Sequence, residues 1–271
     1  MTIPPALSPE ALTEAATRLW RCRLEGRETA DLPEGLRPVT RAEGYAVHRA
    51  AAARTELGPP IGWKIAATSE AGQRHIGVSG PLAGRMFQGT QLADGQTVPL
   101  AGNTMRVAEI EIAFTMGRTL DAAAGPAPLT LEQVAQAVAG VRPAIEVPNS
   151  RFAAFTTAGE AQLIADGACA HQVLIGPALP PDERLYRLAD HAVFALRNVT
   201  ERHEGSGRNA LGDPLRALTW IANELRAHGM ALREGETVIT GTCVVPVPIE
   251  PGDLIEGDWG WLGRLSLRFS G

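Results

Sequence analysis

Arg106-Val-Ala-Glu-Ile-Glu-Ile-Ala-Phe-Thr-Met-Gly117 is the stretch on which the fold turns. Its alternation predicts a β-strand, where residues two apart share a face. Glu109 and Glu111 then project side by side while Ile110, Ile112 and Phe114 take the other face. Adjacent like charges repel unless a cation lies between them. A divalent ion is the simplest such group, because hard cations such as Mg2+ favour carboxylate and water oxygens and usually keep positions open for substrate. Taken alone, the segment favours a plainer account: an amphipathic strand with a wet acidic side.

Two other predicted strands carry a charge where an apolar residue is expected. Ile61-Gly-Trp-Lys-Ile-Ala-Ala-Thr68 is short and apolar, with Lys64 at its centre. Burying an ammonium without a partner costs several kcal/mol, so Lys64 either snorkels to the surface or faces an anion. Gly140-Val-Arg-Pro-Ala-Ile-Glu-Val-Pro148 sets Glu146 between Ile145 and Val147 in a run that otherwise reads as buried. Three carboxylates from two strands can thus converge on one cation.

Around these strands the helix signals are local. Ser8-Pro9-Glu10 predicts a helix to about Arg27, and Thr40-Arg-Ala-Glu43 a capping box whose helix continues to Glu56, before Gly58-Pro59-Pro60. Ser69 to Ile76 reads as a short capped helix and Gly77 to Gly89 as a surface loop, a lid that can bring His75 and Arg74 into a site. A solvated helix end is the alternative for His75. Leu120 to Pro128 reads as irregular, and Thr130-Leu-Glu-Gln133 as a second capping box.

Past Asn149-Ser150-Arg151 there is little periodicity until Ile164 to Gly176, a glycine turn followed by a strand. Leu188 to Val199 predicts another strand and Glu201 to Gly207 a polar turn. Asp213-Pro214 starts a helix whose apolar face is Leu215, Leu218, Ile221, Ala222 and Leu225, ending at His228-Gly229. The tail reads as strands at Thr237–Thr240, Asp253–Glu256 and Leu265–Phe269. Gly241-Thr242 either aims an N–H and a hydroxyl at a ligand carboxylate or is simply a tight turn.

At 271 residues, 45% hydrophobic and 20% charged, the chain has the composition of a globular α/β or mixed fold. A formal charge of -5 without basic clusters argues against nucleic acid. No apolar run reaches bilayer length, and Met1–Ala6 lacks a signal peptide's basic and apolar regions, so a cytoplasmic protein without a membrane partner is expected. Cys22, Cys169 and Cys243 are odd in number and dispersed, which suits a reducing compartment. Cys169 lies two residues before His171, but alternation in an Ala-rich run favours packing over a thiol nucleophile. Without CxxC or HExxH a zinc site has no support.

Several separated motifs in one order resemble a known family. They are Gly62-Trp63-Lys64-Ile65 with Thr68-Ser69, Glu109-Ile-Glu111-Ile-Ala-Phe114, Ala144-Ile-Glu146-Val with Ser150-Arg151, and Leu211-Gly-Asp-Pro-Leu-Arg-Ala-Leu-Thr-Trp-Ile-Ala-Asn223. Gly241, Gly252-Asp253 and Asp258-Trp-Gly-Trp-Leu-Gly263 extend the match. The chain resembles the 2-keto-4-pentenoate hydratases and the related 2-oxo-3-hexenedioate decarboxylases of the fumarylacetoacetate hydrolase superfamily.

The resemblance implies an α+β fold, a mixed β-roll or partly closed β-barrel with flanking helices, in a single hydratase-like domain. Its N-terminal helices would span 1–58 and its β-rich catalytic core 59–271. It implies a homo-oligomer in aromatic catabolism, with a hetero-complex with a pathway enzyme as an alternative. Glu109, Glu111 and Glu146 are then ligands of Mg2+ or Mn2+, and catalytic together with Lys64. Lys64 then faces a small 2-oxo acid, for which Gly241, Thr242 and His75 are the further binding candidates from the turn and lid readings. The activity implied is a lyase adding water to a 2-hydroxy-dienoate or 2-oxo-enoate to give a 4-hydroxy-2-oxo acid.

Decarboxylation of a 2-oxo-3-enedioate uses the same chemistry. Acylpyruvate C–C hydrolysis needs a base for water, for which His75 is the candidate, and a non-catalytic partner subunit is a further alternative. Asp166-Gly167-Ala168-Cys169 stands where Asp-Asn-Ala-Ser is usual, and Thr240-Gly241-Thr242 stands for Ser-Gly-Ser. Asn149 replaces an acidic residue, and Trp261 is bulkier than expected. These departures touch the substrate pocket and leave the metal ligands intact.

Overall fold

The computed structural model describes residues 7–271; Met1–Ala6, the stretch read for a leader, lies outside them. In chain order the elements are α1 (Pro9–Glu25), α2 (Arg41–Ala52), β1 (Pro60–Ala66), α3 (Glu70–Ile76), β2 (Leu82–Phe87), β3 (Gln91–Leu92), β4 (Thr97–Pro99) and β5 (Val107–Met116). There follow α4 (Leu131–Ala135), β6 (Val138–Val147), α5 (Glu160–Ala165), β7 (Gln172–Ile175), β8 (Ala192–Arg197), β9 (Glu201–Ser206) and α6 (Pro214–Ala227). The chain closes with β10 (Thr237–Thr242), β11 (Val247–Pro248), β12 (Leu254–Asp258) and β13 (Arg264–Ser270).

The larger sheet runs β2-β1-β10-β5-β6-β7-β3, with β11 added to the start of β5, and curls into a half-barrel. The smaller runs β4-β13-β12-β8-β9. This is the α+β half-barrel architecture that the resemblance implied. Ile110, Ile112 and Phe114 of β5 enter the main core, which α6 covers with Leu215, Leu218, Ile221, Ala222 and Leu225. α1 and α2 form a second apolar cluster around Trp20, Phe87 and Phe152. Among the described residues no helix is long and apolar enough to cross a membrane.

Capping chemistry sets the helix ends. Ser8 accepts from the Ala11 N–H, Thr40 and Glu43 exchange both capping-box bonds, and Asp213 accepts from the Leu215 N–H ahead of Pro214. α2 stops at Ala52 rather than Glu56, because a turn closed by the Gly58 N–H on the Thr55 carbonyl already feeds β1.

Three expectations from sequence are corrected. Gly77 to Gly89 is not a loop throughout: Leu82–Phe87 forms β2, antiparallel to β1 with Gly84 opposite Lys64. Leu82, Ala83, Met86 and Phe87 are all buried, so the segment shows no alternation. Gly84 marks close approach, since a Cβ there would lie 1.9 Å from the Gly167 carbonyl oxygen. Glu201 to Gly207 is not a turn but β9, and the hairpin bends at Asn198 and Val199 with positive φ. α5 went unread because Ala161 through Ala165 are all buried, leaving no polar face to set a period.

His48 on α2 ties these layers together. It is buried, and its Nε2 accepts from the Arg85 backbone N–H at 3.0 Å. Burial, with the cations of Arg23, Arg85 and Arg151, pushes its pKa down to about 3. The unfolded chain then binds more protons below the ordinary histidine value of about 6.5, so stability is fully present above that pH and is lost as pH falls toward 3. At pH 5 the expected loss is about 2 kcal/mol. Denaturant titrations at pH 7 and pH 5 check it, with His48→Gln, which keeps an acceptor but does not titrate, shrinking the difference by about that amount.

Candidate active site

β5 and β6 pair with Glu109 opposite Glu146 and Glu111 opposite Ala144, so all three carboxylates share one face of the sheet. A carboxylate oxygen from each lies within 4.8 Å of the others. Glu111 and Glu146 are buried and Glu109 half-buried.

Lys64 reaches this cluster from β1, three strands from β6 in the order β1-β10-β5-β6. In a flat sheet that separation is roughly 14 Å, beyond a lysine's reach. The curl of the half-barrel closes it: Lys64 Nζ stands 3.1 Å from Glu146 Oε2, an ion pair with both side chains 2% exposed. Burial pulls the Lys64 pKa down, but the Glu146 and Glu109 carboxylates outweigh it and raise the value above the usual lysine range. Burial pushes Glu146 up to about 8 despite Lys64. Burial, with Glu146 and Glu109 beside it, also raises Glu111 well above the ordinary carboxylate.

Glu111 Oε2 accepts from the Gly241 N–H at 2.6 Å. Its Oε1 is buried without a hydrogen-bond partner. Were all three carboxylates ionised, one ammonium would leave two negative charges uncompensated, which is why burial and mutual repulsion raise Glu111 and Glu146, and Glu111 Oε1 lacks a donor. The residues therefore fit a divalent cation, and an all-carboxylate donor set suits a hard one.

A cavity of about 860 Å³ opens from this point, and Lys64, Glu109, His75, Gly241 and Thr242 line it. The other sequence candidates play varied parts. His75 is exposed at the rim, its ring edge-on to Phe155 at 6.1 Å. Arg74 pairs with Glu70 at 3.3 Å on the surface of α3. The Gly241 N–H is directed at Glu111 and not at open space. The Thr242 hydroxyl accepts from the Ile110 N–H at 3.3 Å and donates to the Val244 carbonyl, so it is engaged within the sheet.

Gly241 has φ +101, and a Cβ there would meet Thr68 Oγ1 at 2.1 Å. Gly241→Ala is expected to lose about 2–4 kcal/mol, from strain at positive φ together with the overlap, as a lowered midpoint in chemical unfolding.

Cys169 is buried, and burial with the neighbouring Asp166 carboxylate pushes its thiol up to about 12. Burial takes His171 down to about 3. A thiol held protonated, with the imidazole two residues along too weakly basic to activate it, is not a nucleophile, which leaves the packing account. Arg151 clamps this turn, binding both the Asp166 carboxylate and the Ala170 carbonyl, the latter at 3.0 Å. Asn149 Oδ1 accepts from the Thr104 N–H at 3.0 Å and its amide donates to the Gly102 carbonyl at 2.8 Å, so the amide that replaces an acid fastens a loop. Trp261 lies outside the cavity lining, stacked under Arg184 at 3.8 Å.

Sequence reasoning missed the cavity walls: Met105, Val107, Phe155, Arg208, Val244 and Val245. Only Val107 was within reach of a local signal, standing two residues before Glu109 on the same strand face.

Residues 70–270 match the model of the fumarylacetoacetate (FAA) hydrolase C-terminal family. The chain is 29% identical over 265 residues to the 2-keto-4-pentenoate hydratase of Paraburkholderia xenovorans (strain LB400), covering 97% of this chain and 96% of the relative. It is 31% identical over 212 residues to the 2-hydroxyhexa-2,4-dienoate hydratase of Comamonas testosteroni, covering 78% of each. The solved 4-oxalocrotonate decarboxylase from Pseudomonas putida G7 superposes with a TM-score of 0.85 at 26% identity, over 97% of this chain and 98% of that one. That enzyme has been solved with magnesium and adipate and with calcium and acetate. With a family model matched over most of its length and a sheet that carries the matching motifs, the chain belongs to the fumarylacetoacetate (FAA) hydrolase C-terminal family.

Proposed function

We infer that this chain is a lyase of the hydratase type, which adds water to a 2-hydroxy-dienoate, by way of its 2-oxo-enoate form, to give a 4-hydroxy-2-oxo acid. The observation that carries this reading is the buried group of three carboxylates beside a paired lysine, opening through Glu109 into a cavity of about 860 Å³. The names of the hydratase relatives agree with it.

We assign Glu109, Glu111 and Glu146 to a bound Mg2+ or Mn2+. Such an ion supplies Lewis acidity at the 2-oxygen of a 2-oxo acid and neutralises its carboxylate. The remaining work falls to the chain. The Gly241 N–H fixes the orientation of Glu111. Lys64, held as an ammonium, serves as a cation toward the substrate carboxylate or as a proton donor, not as a base. His75 at the rim is assigned the exchange of protons with solvent. In the overall reaction the enol proton moves to the terminal carbon; water then gives its hydroxyl to carbon 4 and its proton to carbon 3. The same reading includes homo-oligomeric assembly, which light scattering checks.

Loss of the dienol absorbance of 2-hydroxypenta-2,4-dienoate, dependent on added Mg2+ or Mn2+, is the expected result. An undiminished rate after chelation overturns the reading. Likeness to a decarboxylase over nearly the whole chain favours one second reading, loss of CO2 from a 2-oxo-3-enedioate at the same anchor. Release of CO2 without hydration product marks that reaction, and pyruvate with a free acid marks hydrolysis.

A further inference from the structure

We propose that the protein binds an aryl monocarboxylate in a second cavity, on the opposite side of β1 from Lys64. Successive residues of a strand face opposite sides, so Lys64 points toward the glutamates while Trp63 lines this second space. The cavity measures about 470 Å³. It lies between the last turn of α2, strands β1 and β2, the segment after β5 and the segment joining α6 to β10. Small-molecule sites ordinarily begin at about 300 Å³.

Three guanidinium groups line it, those of Arg49, Arg85 and Arg233. Arg85 is 14% exposed, stacked on Trp63 at 3.9 Å and paired with Glu236. Glu236 is committed to that arrangement: one oxygen meets Arg85, and the other accepts from Trp63 Nε1 at 3.2 Å and from the Arg233 backbone N–H at 2.9 Å. Arg49 and Arg233 have no such counterpart. Among the described residues neither side chain makes a hydrogen bond or an ion pair. Asp121 also lines the cavity, and its carboxylate accepts from the Ala123 N–H at 2.9 Å. His48 is neutral at pH 7, so it adds no charge.

Three guanidiniums against the carboxylates of Asp121 and Glu236 leave one positive charge over, which a monocarboxylate balances. Burial lowers the Arg85 pKa against the pull of Glu236, and the like charge of Arg233 lowers it further. An anion set between Arg85 and Arg233 removes that repulsion. Much of the remaining wall is apolar and small, formed by Ala52, Ala53, Pro60, Ala122 and Met230. A hydrocarbon body gains by burial there. A flat ring gains more, because guanidinium planes stack on aromatic faces, as Arg85 already does on Trp63. The guanidinium fork also offers paired donors to a carboxylate. An inorganic anion would use the cations and leave the apolar wall bare.

Calorimetric titration of the Mg2+-loaded protein with benzoate tests this, in saturating oxalate so that the metal site is already filled. Benzoate is expected to bind at least tenfold more tightly than benzamide, its uncharged counterpart, and than acetate, which lacks the ring. Arg49→Met combined with Arg233→Met, at two exposed positions, is expected to weaken benzoate at least tenfold while the melting temperature and oxalate affinity stay as in wild type. In crystals soaked with 4-bromobenzoate the anomalous bromine peak is expected in this cavity. Equal affinity for benzoate and benzamide, or unchanged benzoate affinity in the double variant, overturns the site. Equal affinity for acetate and benzoate overturns the aryl body. The outcome is separable from the metal assignment, since oxalate binding reports on the glutamates and the double variant on this cavity.

Discussion

Replacing Glu111 with glutamine is expected to lower kcat/KM for a 2-hydroxy-dienoate about a thousandfold and to abolish thermal stabilisation by Mg2+. Glu111 is fully buried, with one oxygen held by the Gly241 N–H and the other without a partner. Glutamine keeps an oxygen for that N–H, so the local sheet geometry survives. What it removes is the negative charge that a divalent ion needs, and Lewis acidity at a developing oxyanion is worth several kcal/mol. An ion that binds only the folded state at a hundred times its Kd adds about 2.7 kcal/mol of stability. The wild type should therefore melt higher with Mg2+ and the variant should not. In metal-free buffer the order is expected to reverse, because Glu111→Gln relieves the repulsion among three carboxylates within 4.8 Å. A metal-free variant that melts well below the metal-free wild type, or one that keeps full activity, overturns the assignment.

Lys64→Met is the second large effect, and it separates catalysis from metal binding. Lys64 and Glu146 are each 2% exposed and 3.1 Å apart, so removing the ammonium strands a buried carboxylate. Breaking a buried pair from one side costs about 3–5 kcal/mol in metal-free protein. The cluster also becomes more anionic, so Mg2+ is expected to bind at least as tightly as in wild type and to recover much of the lost stability. Activity is expected to fall by roughly 10²–10⁴ even at saturating metal, the range ordinarily lost with a proton-transfer group. Lys64→Arg should not rescue it, because a bulkier planar guanidinium does not reproduce a compact ammonium buried 3.1 Å from Glu146. Mg2+ affinity from calorimetry and kcat from the dienol assay, measured on the same preparation, decide the matter. Parallel loss of both returns Lys64 to a purely structural role.

The parts legible in the sequence were those written in local chemistry. Capping residues marked the starts of α1, α2, α4 and α6, and period-two alternation marked β5 with Ile110, Ile112 and Phe114 inward. Lys64 and Glu146 stood out because a charge inside an apolar strand requires an explanation that the strand cannot supply. Where both faces were buried, as in β2 and α5, or both were polar, as in β9, no period existed to read. Gly84 and Gly205 looked like turn formers; in the fold each marks a place where another backbone passes too close for a Cβ.

By itself the sequence determined which residues share a face, where the capped helices begin, and that three acids and a lysine sit on strands that would otherwise be apolar. Only the tertiary structure decided that they meet. Lys64 and Glu146 lie on strands separated by two others, and their contact exists because the sheet curls, a property of summed twist and packing that no short window of residues contains. The cavity beyond them is likewise non-local. Its apolar wall comes from a register shift between β5 and the strands facing it, and register depends on two distant segments at once. The kind of chemistry was therefore written locally, whereas the shape of the molecule it acts upon was set by how the strands came together.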